Sequence, residues 1–169
     1  LSTEEGRHFD HGALIFFGSL AMRLDVVCDW SQPTAAVDGR SLFYNPSFML
    51  SLPFEHRVGV VAHKVLHVAL LHFARMQGRE IRRWNLACDL ALNQHVLSSG
   101  LRLPEWTFLP GRKPCEDFPS GLAAEEYYDL LEDHPALGQG GEGDEGEGEE
   151  GQPGPGAGGG DDPGGLCGV

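Results

Sequence analysis

Bases are scarce in this 169-residue sequence: 12 Lys and Arg stand against 25 Asp and Glu, a formal net charge of −13. A chain without a basic stripe is a poor partner for nucleic acid, whose phosphate backbone demands clustered Lys and Arg. Long apolar runs are lacking as well. Each apolar stretch meets a charge well short of the ~20 residues that span a bilayer, so no membrane partner is expected. Leu1–Glu5 does not follow the charged-then-apolar order of a secretory leader. The four cysteines, Cys28, Cys88, Cys115 and Cys167, show no C-x-x-C spacing. That spacing argues against a thiolate metal motif and against a disulfide framework. Buried or incidental thiols in a reducing compartment fit better, and a cytoplasmic protein is expected.

The acidity is unevenly placed. Residues 138–169 carry 8 acids, 15 glycines and no base, which leaves residues 1–137 with a net charge of only −5. A segment with so few apolar side chains cannot bury enough surface to offset chain entropy, so 138–169 reads as a disordered Gly/Glu/Asp/Pro-rich linker after one domain, 1–137.

Within 1–137 the pattern is mainly helical with a small β-hairpin, an α+β class. Ser2 and Glu5 have capping-box spacing. A helical stripe then runs through Leu14, Phe17, Leu20, Ala21, Leu24, Val27 and Cys28, predicting a helix that ends near Asp29–Trp30. Asp38-Gly39 lies between residues 34–37 and Arg40–Tyr44, a strong hairpin signal. Phe48–Leu52 reads as a helical turn. Long helices are predicted over 55–76 and 80–99, the second with Gly100 as C-cap. Residues 101–119 hold four prolines and read as an ordered loop, and Ser120–Asp133 as a last helix.

The chemistry is concentrated in His63-Lys64-Val65-Leu66-His67. At i and i+4 on a helix, both imidazoles face one side a turn apart and can converge on one metal ion. Burying two unpartnered imidazoles on an otherwise apolar helix costs free energy unless something satisfies them. Zinc needs a third protein ligand. Asp89, on the next predicted helix, supplies a carboxylate, and Asn93 follows at i+4 where it can orient a metal-bound imidazole. His72 competes for the third position. On a continuous helix it lies about 140° from His67 and about 180° from His63, so it reaches the same ion only if the helix bends; a supporting role is its better reading. A metal-free helical domain is the plainest alternative.

These residues resemble a known family. Residues 33–40, Tyr44-Asn45-Pro46, residues 62–69, residues 84–89 with Asn93, and residues 124–128 are similar to the bacterial putative metallopeptidase domain, zincin-like and of HExxH type, found ahead of a von Willebrand factor A-like (VWA-like) domain. The resemblance implies a zincin-like active-site helix, zinc as cofactor, His63 and His67 as ligands and Asp89 as the third. It implies a peptide or protein substrate. It also implies a possible partnership with a MoxR-type AAA+ ATPase. Under it, Leu42, Phe43 and Tyr44 are expected to form the edge strand that aligns a substrate by added-strand pairing.

One position departs from the motif. Lys64 stands where HExxH has its general-base Glu, and an ammonium cannot accept a proton from a zinc-bound water. A deprotonated, desolvated lysine acting as base is the narrow exception. Glu55 lies on another face of the helix and cannot substitute. The expectation is therefore a metal-binding domain of metallopeptidase type with impaired or absent hydrolysis. The alternative is a non-catalytic interaction module.

Overall fold

The first helix, α1 (His11–Ala21), stops well before Asp29. The computed structural model describes residues 11–134 and Leu137; the Ser2/Glu5 capping box and the expected disorder of 138–169 lie outside the described residues. After α1 the chain turns tightly, Leu24 N–H donating to Ala21 O at 3.1 Å. It then extends as β1 (Asp25–Cys28). The predicted helix over this stretch is thus corrected. Val26 and Val27 are β-branched and favour the pleated backbone, and the apolar spacing through Val27 fits a solvent-facing strand as well as a helix. Asp25 N–H donates to Arg40 O and Asp29 N–H to Tyr44 O, at 3.1 and 2.9 Å.

The hairpin forms where Asp-Gly predicts it. β2 (Ala35–Val37) and β3 (Ser41–Tyr44) pair antiparallel, with Val37 opposite Leu42. The turn is held by Asp38 Oδ1, which accepts from the N–H groups of Arg40 and Ser41 at 2.9 and 2.7 Å. Gly39 adopts φ 93°, a conformation that L side chains rarely take. β1 pairs parallel to β3, giving the order β1-β3-β2. This corrects a second expectation: β3, with Leu42, Phe43 and Tyr44, is the central strand, and both its edges are already paired. It offers no free edge to a substrate.

Asn45 ends β3 and starts α2 (Pro46–Ser51). Its Oδ1 accepts from Ser47 and Phe48 N–H, and Pro46 occupies the first turn, where a missing N–H costs nothing. α3 (Phe54–Ala69) follows and carries the His63/His67 pair. The predicted single helix over 55–76 is broken. Leu71 sits at φ 54°, ψ 37°, in the left-handed region, and a separate one-turn α4 (His72–Arg75) begins after it. α5 (Ile81–Ser98) is capped by Glu80, whose carboxylate accepts from Arg82 and Arg83 N–H. Its C-cap, Ser99, is followed by Gly100 at φ 79°. α6 (Ala124–Leu130) is shorter than predicted and closes in a 3-10 turn, Leu131–Asp133.

Two apolar clusters hold these elements. Trp84, Leu86, Ala87, Leu90, Tyr127 and Leu131 lock α5 to α6, while Phe17, Ala62, Leu66, Leu92, Val96 and Leu101 join α1, α3 and α5. α3 and α5 therefore lie side by side with their polar positions fixed between two cores. Gly59 on α3 meets the 101–103 segment so closely that an added Cβ would stand 1.8 Å from Arg102 O. Among the described residues no helix is long and apolar enough to cross a membrane.

Candidate metal centre

His63 and His67 lie one turn apart on α3, and Asp89 faces them from α5. His63 Nε2 is 3.1 Å from His67 Nε2, His67 Nε2 is 3.2 Å from Asp89 Oδ1, and His63 Nε2 is 3.5 Å from the same oxygen. Zinc–ligand bonds of about 2.0–2.1 Å place the vertices of a tetrahedron about 3.3–3.4 Å apart. The three atoms thus already sit near the corners of one face of such a tetrahedron.

The lone pairs point inward because the neighbours fix them. Asn93 Nδ2 donates to Phe108 O at 3.1 Å, which turns its Oδ1 toward His63. His63 Nδ1–H donates to that oxygen at 2.7 Å, and the opposite nitrogen, Nε2, is left with its lone pair. Phe108 is a partner no sequence signal identified, since its contribution is a backbone carbonyl. His72 arrives by the break at Leu71: its Nδ1 lies 3.1 Å from His67 Nδ1. It meets the side of the His67 ring away from Asp89 and stands outside the group of converging ligand atoms. Donation from His67 Nδ1–H to His72 frees His67 Nε2 for a metal.

Second-layer contacts hold α4 in place. Trp84 Nε1–H donates to His72 O at 2.9 Å. Arg75 grips Glu125 of α6 with two bonds, 3.0 and 2.5 Å, and donates to Leu70 O at 3.1 Å across the helix break. Glu125 is held below the usual carboxylate range, chiefly by its hydrogen bond from Arg75.

Electrostatics favour the metal-binding form of the imidazoles. Burial pushes His63 down to about 3, against an opposing pull from Asp89. His67 is lowered well below its ordinary value by burial and then by the charge of Lys64. Burial also lowers His72, to about 4. At neutral pH burial keeps both imidazoles neutral, and they converge with the Asp89 side chain. Two nitrogen lone pairs and an oxygen anion at these separations suit a cation, and imidazole with carboxylate is a donor set zinc accepts. A cavity of about 30 Å³ opens beside His63, Asp89 and Asn93, enough for a water molecule.

A family model described as a putative metallopeptidase domain matches residues 12–163. The chain belongs to that family. Comparison with curated proteins and with solved structures finds no match. Within this metallopeptidase-type domain, His63, His67 and Asp89 could hold a metal ion. Lys64 follows His63 on α3 and is buried, at 7 % exposure. Leu42, Phe43 and Tyr44 are not among the residues lining the cleft.

Proposed function

We propose that this domain binds one zinc ion through His63, His67 and Asp89 and hydrolyses peptides poorly or not at all. The observation that carries the first half is the spacing of the three ligand atoms, 3.1, 3.2 and 3.5 Å, with the His63 tautomer set by Asn93. When bound, zinc would polarise a peptide carbonyl and acidify a water. The chain's own residues then have separate tasks. Asn93 and His72 orient the two imidazoles. Asp89 supplies the negative charge that binds the dication and the third point that fixes its position.

The second half rests on Lys64. A general base must accept a proton within hydrogen-bond reach of the reacting group, and a lysine ammonium donates instead. Its positive charge beside two ligands also opposes a dication. Lys64→Glu restores a carboxylate at the motif position, and a positioned base is worth about 10²–10⁴-fold in rate. Zinc-loaded wild type should show no turnover of unstructured peptide above background, and the Lys64→Glu variant measurable turnover. A wild-type rate matching that of Lys64→Glu would refute the assignment. In the wider reading, a cytoplasmic chain of this kind works beside a VWA-like domain and a MoxR-type ATPase; co-purification with that ATPase tests it.

A further inference from the structure

The sheet ends on one bare edge. In the order β1-β3-β2, the outer edge of β1 pairs with no strand among the described residues. The opposite end is closed, since Ala35, Ala36 and Val37 of β2 are buried. Asp25 N–H and Asp29 N–H both turn toward β3, donating to Arg40 O and Tyr44 O. Backbone groups alternate in direction along a strand, so Val26 N–H and C=O point outward. Sheet edges are commonly blunted by Lys, Pro or a bulge. β1 reads Asp-Val-Val-Cys and matches β3 residue for residue, so it has none of these. Its one charge, Asp25, meets Arg40 of its own sheet at 3.3 Å. Val26 is 64 % exposed, and Met22 before the strand and Trp30 after it are exposed at 89 % and 65 %.

We propose that β1 is a self-association edge, where a second copy of this chain adds its own β1 antiparallel and joins two three-stranded sheets into one. The charges flanking the strand select that partner and its register. Centred on Val26, the pairing sets Val26 beside Val26 and Asp25 beside Val27. It also brings the exposed Arg23 of each copy to Asp29 of the other, an opposite-charge contact made twice. Centred on Val27 instead, the pairing sets Asp25 against Asp29 twice, and like charges disfavour it. Because β2 closes the far edge, the contact is isologous and stops at two copies. The metal ligands belong to α3 and α5, so the dimer does not depend on the metal-binding reading.

Sedimentation equilibrium of the full chain across the micromolar range tests this. The wild type should show a reversible monomer–dimer equilibrium with no larger species. Val26→Lys sets two ammonium groups against each other across the pair. Arg23→Glu alone, or Asp29→Lys alone, makes both end contacts repulsive. Each of the three should weaken the dimer about tenfold or more. An equimolar mixture of Arg23→Glu and Asp29→Lys restores opposite charges at both ends, and its heterodimer should form within about threefold of the wild-type affinity. Circular dichroism checks that each variant is folded. The Asp29 carboxylate also holds Ser31 and Gln32; if its loss unfolds Asp29→Lys, Val26→Lys and Arg23→Glu decide the matter alone. A wild type that stays monomeric, a dimer that Val26→Lys or Arg23→Glu does not weaken, or a mixture of folded variants that gains nothing over its components would each overturn the proposal.

Discussion

Replacing Asn93 separates what the site owes to tautomer control from what it owes to packing. Asn93 is 1 % exposed and makes two hydrogen bonds, accepting from His63 Nδ1–H at 2.7 Å and donating to Phe108 O at 3.1 Å. Asn93→Leu keeps the volume and removes both. His63 is then free to carry its proton on Nε2, where it would block the metal. Loss of the partner that orients a ligating imidazole typically weakens metal binding 10–100-fold, or about 1.4–2.7 kcal/mol. The unpaired Phe108 carbonyl and His63 N–H add about 1–3 kcal/mol each to the loss of stability. Asn93→Asp separates these effects. Its carboxylate still accepts from His63, so zinc affinity should stay within about threefold of wild type, whereas it cannot donate to Phe108 O and the fold should still weaken. Competition against a chromophoric chelator gives the affinities, and urea titration of the metal-free proteins gives the stabilities. An Asn93→Leu protein that binds zinc as tightly as wild type would refute the tautomer argument, and so would an Asn93→Asp protein no better than Asn93→Leu.

Three further outcomes are expected. Gly59→Ala should cost more than about 2 kcal/mol in thermal or urea unfolding, because its Cβ would meet backbone rather than a movable side chain. Leu71→Gly should stabilise by about 0.5 kcal/mol, since Leu71 holds a left-handed φ of 54° and is 63 % exposed, with little packing to lose; a destabilised variant would count against strain at the helix break. The metal-free protein should lose stability as pH falls below about 6.5. His63, His67 and His72 are held neutral by burial when folded but titrate normally when unfolded, so the unfolded state binds more protons across the window from about 6.5 down to about 4. Each such histidine costs on the order of 1 kcal/mol by pH 5.5, and all three act in the same direction. Urea midpoints that are flat between pH 7.5 and 5.5 would contradict this.

Much of the site was legible because its chemistry is local. The i, i+4 histidines on an apolar helix, and Asp89 with Asn93 on the next, follow from helical period and residue type alone. The hairpin followed from Asp38-Gly39. Three features did not follow. β1 was hidden because Leu24, Val27 and Cys28 satisfy a helical repeat by coincidence, and its identity depends on pairing with β3, a tertiary contact. That same pairing makes β3 central and removes the edge assigned to Leu42, Phe43 and Tyr44. The break at Leu71 has no glycine or proline to announce it. It is held from outside by Arg75 on Glu125 and Leu70 O, and by Trp84 on His72 O. Phe108 and Gly59 matter through backbone position, which side-chain pattern does not encode.

The central claim is that one metal ion sits between α3 and α5 on three named atoms. Crystals of the zinc-loaded protein, measured on both sides of the zinc absorption edge, test it most directly. The account predicts a single anomalous peak about 2 Å from His63 Nε2, His67 Nε2 and Asp89 Oδ1, absent in His63→Ala. A peak on His72 instead of Asp89, or no peak at this site, would contradict it.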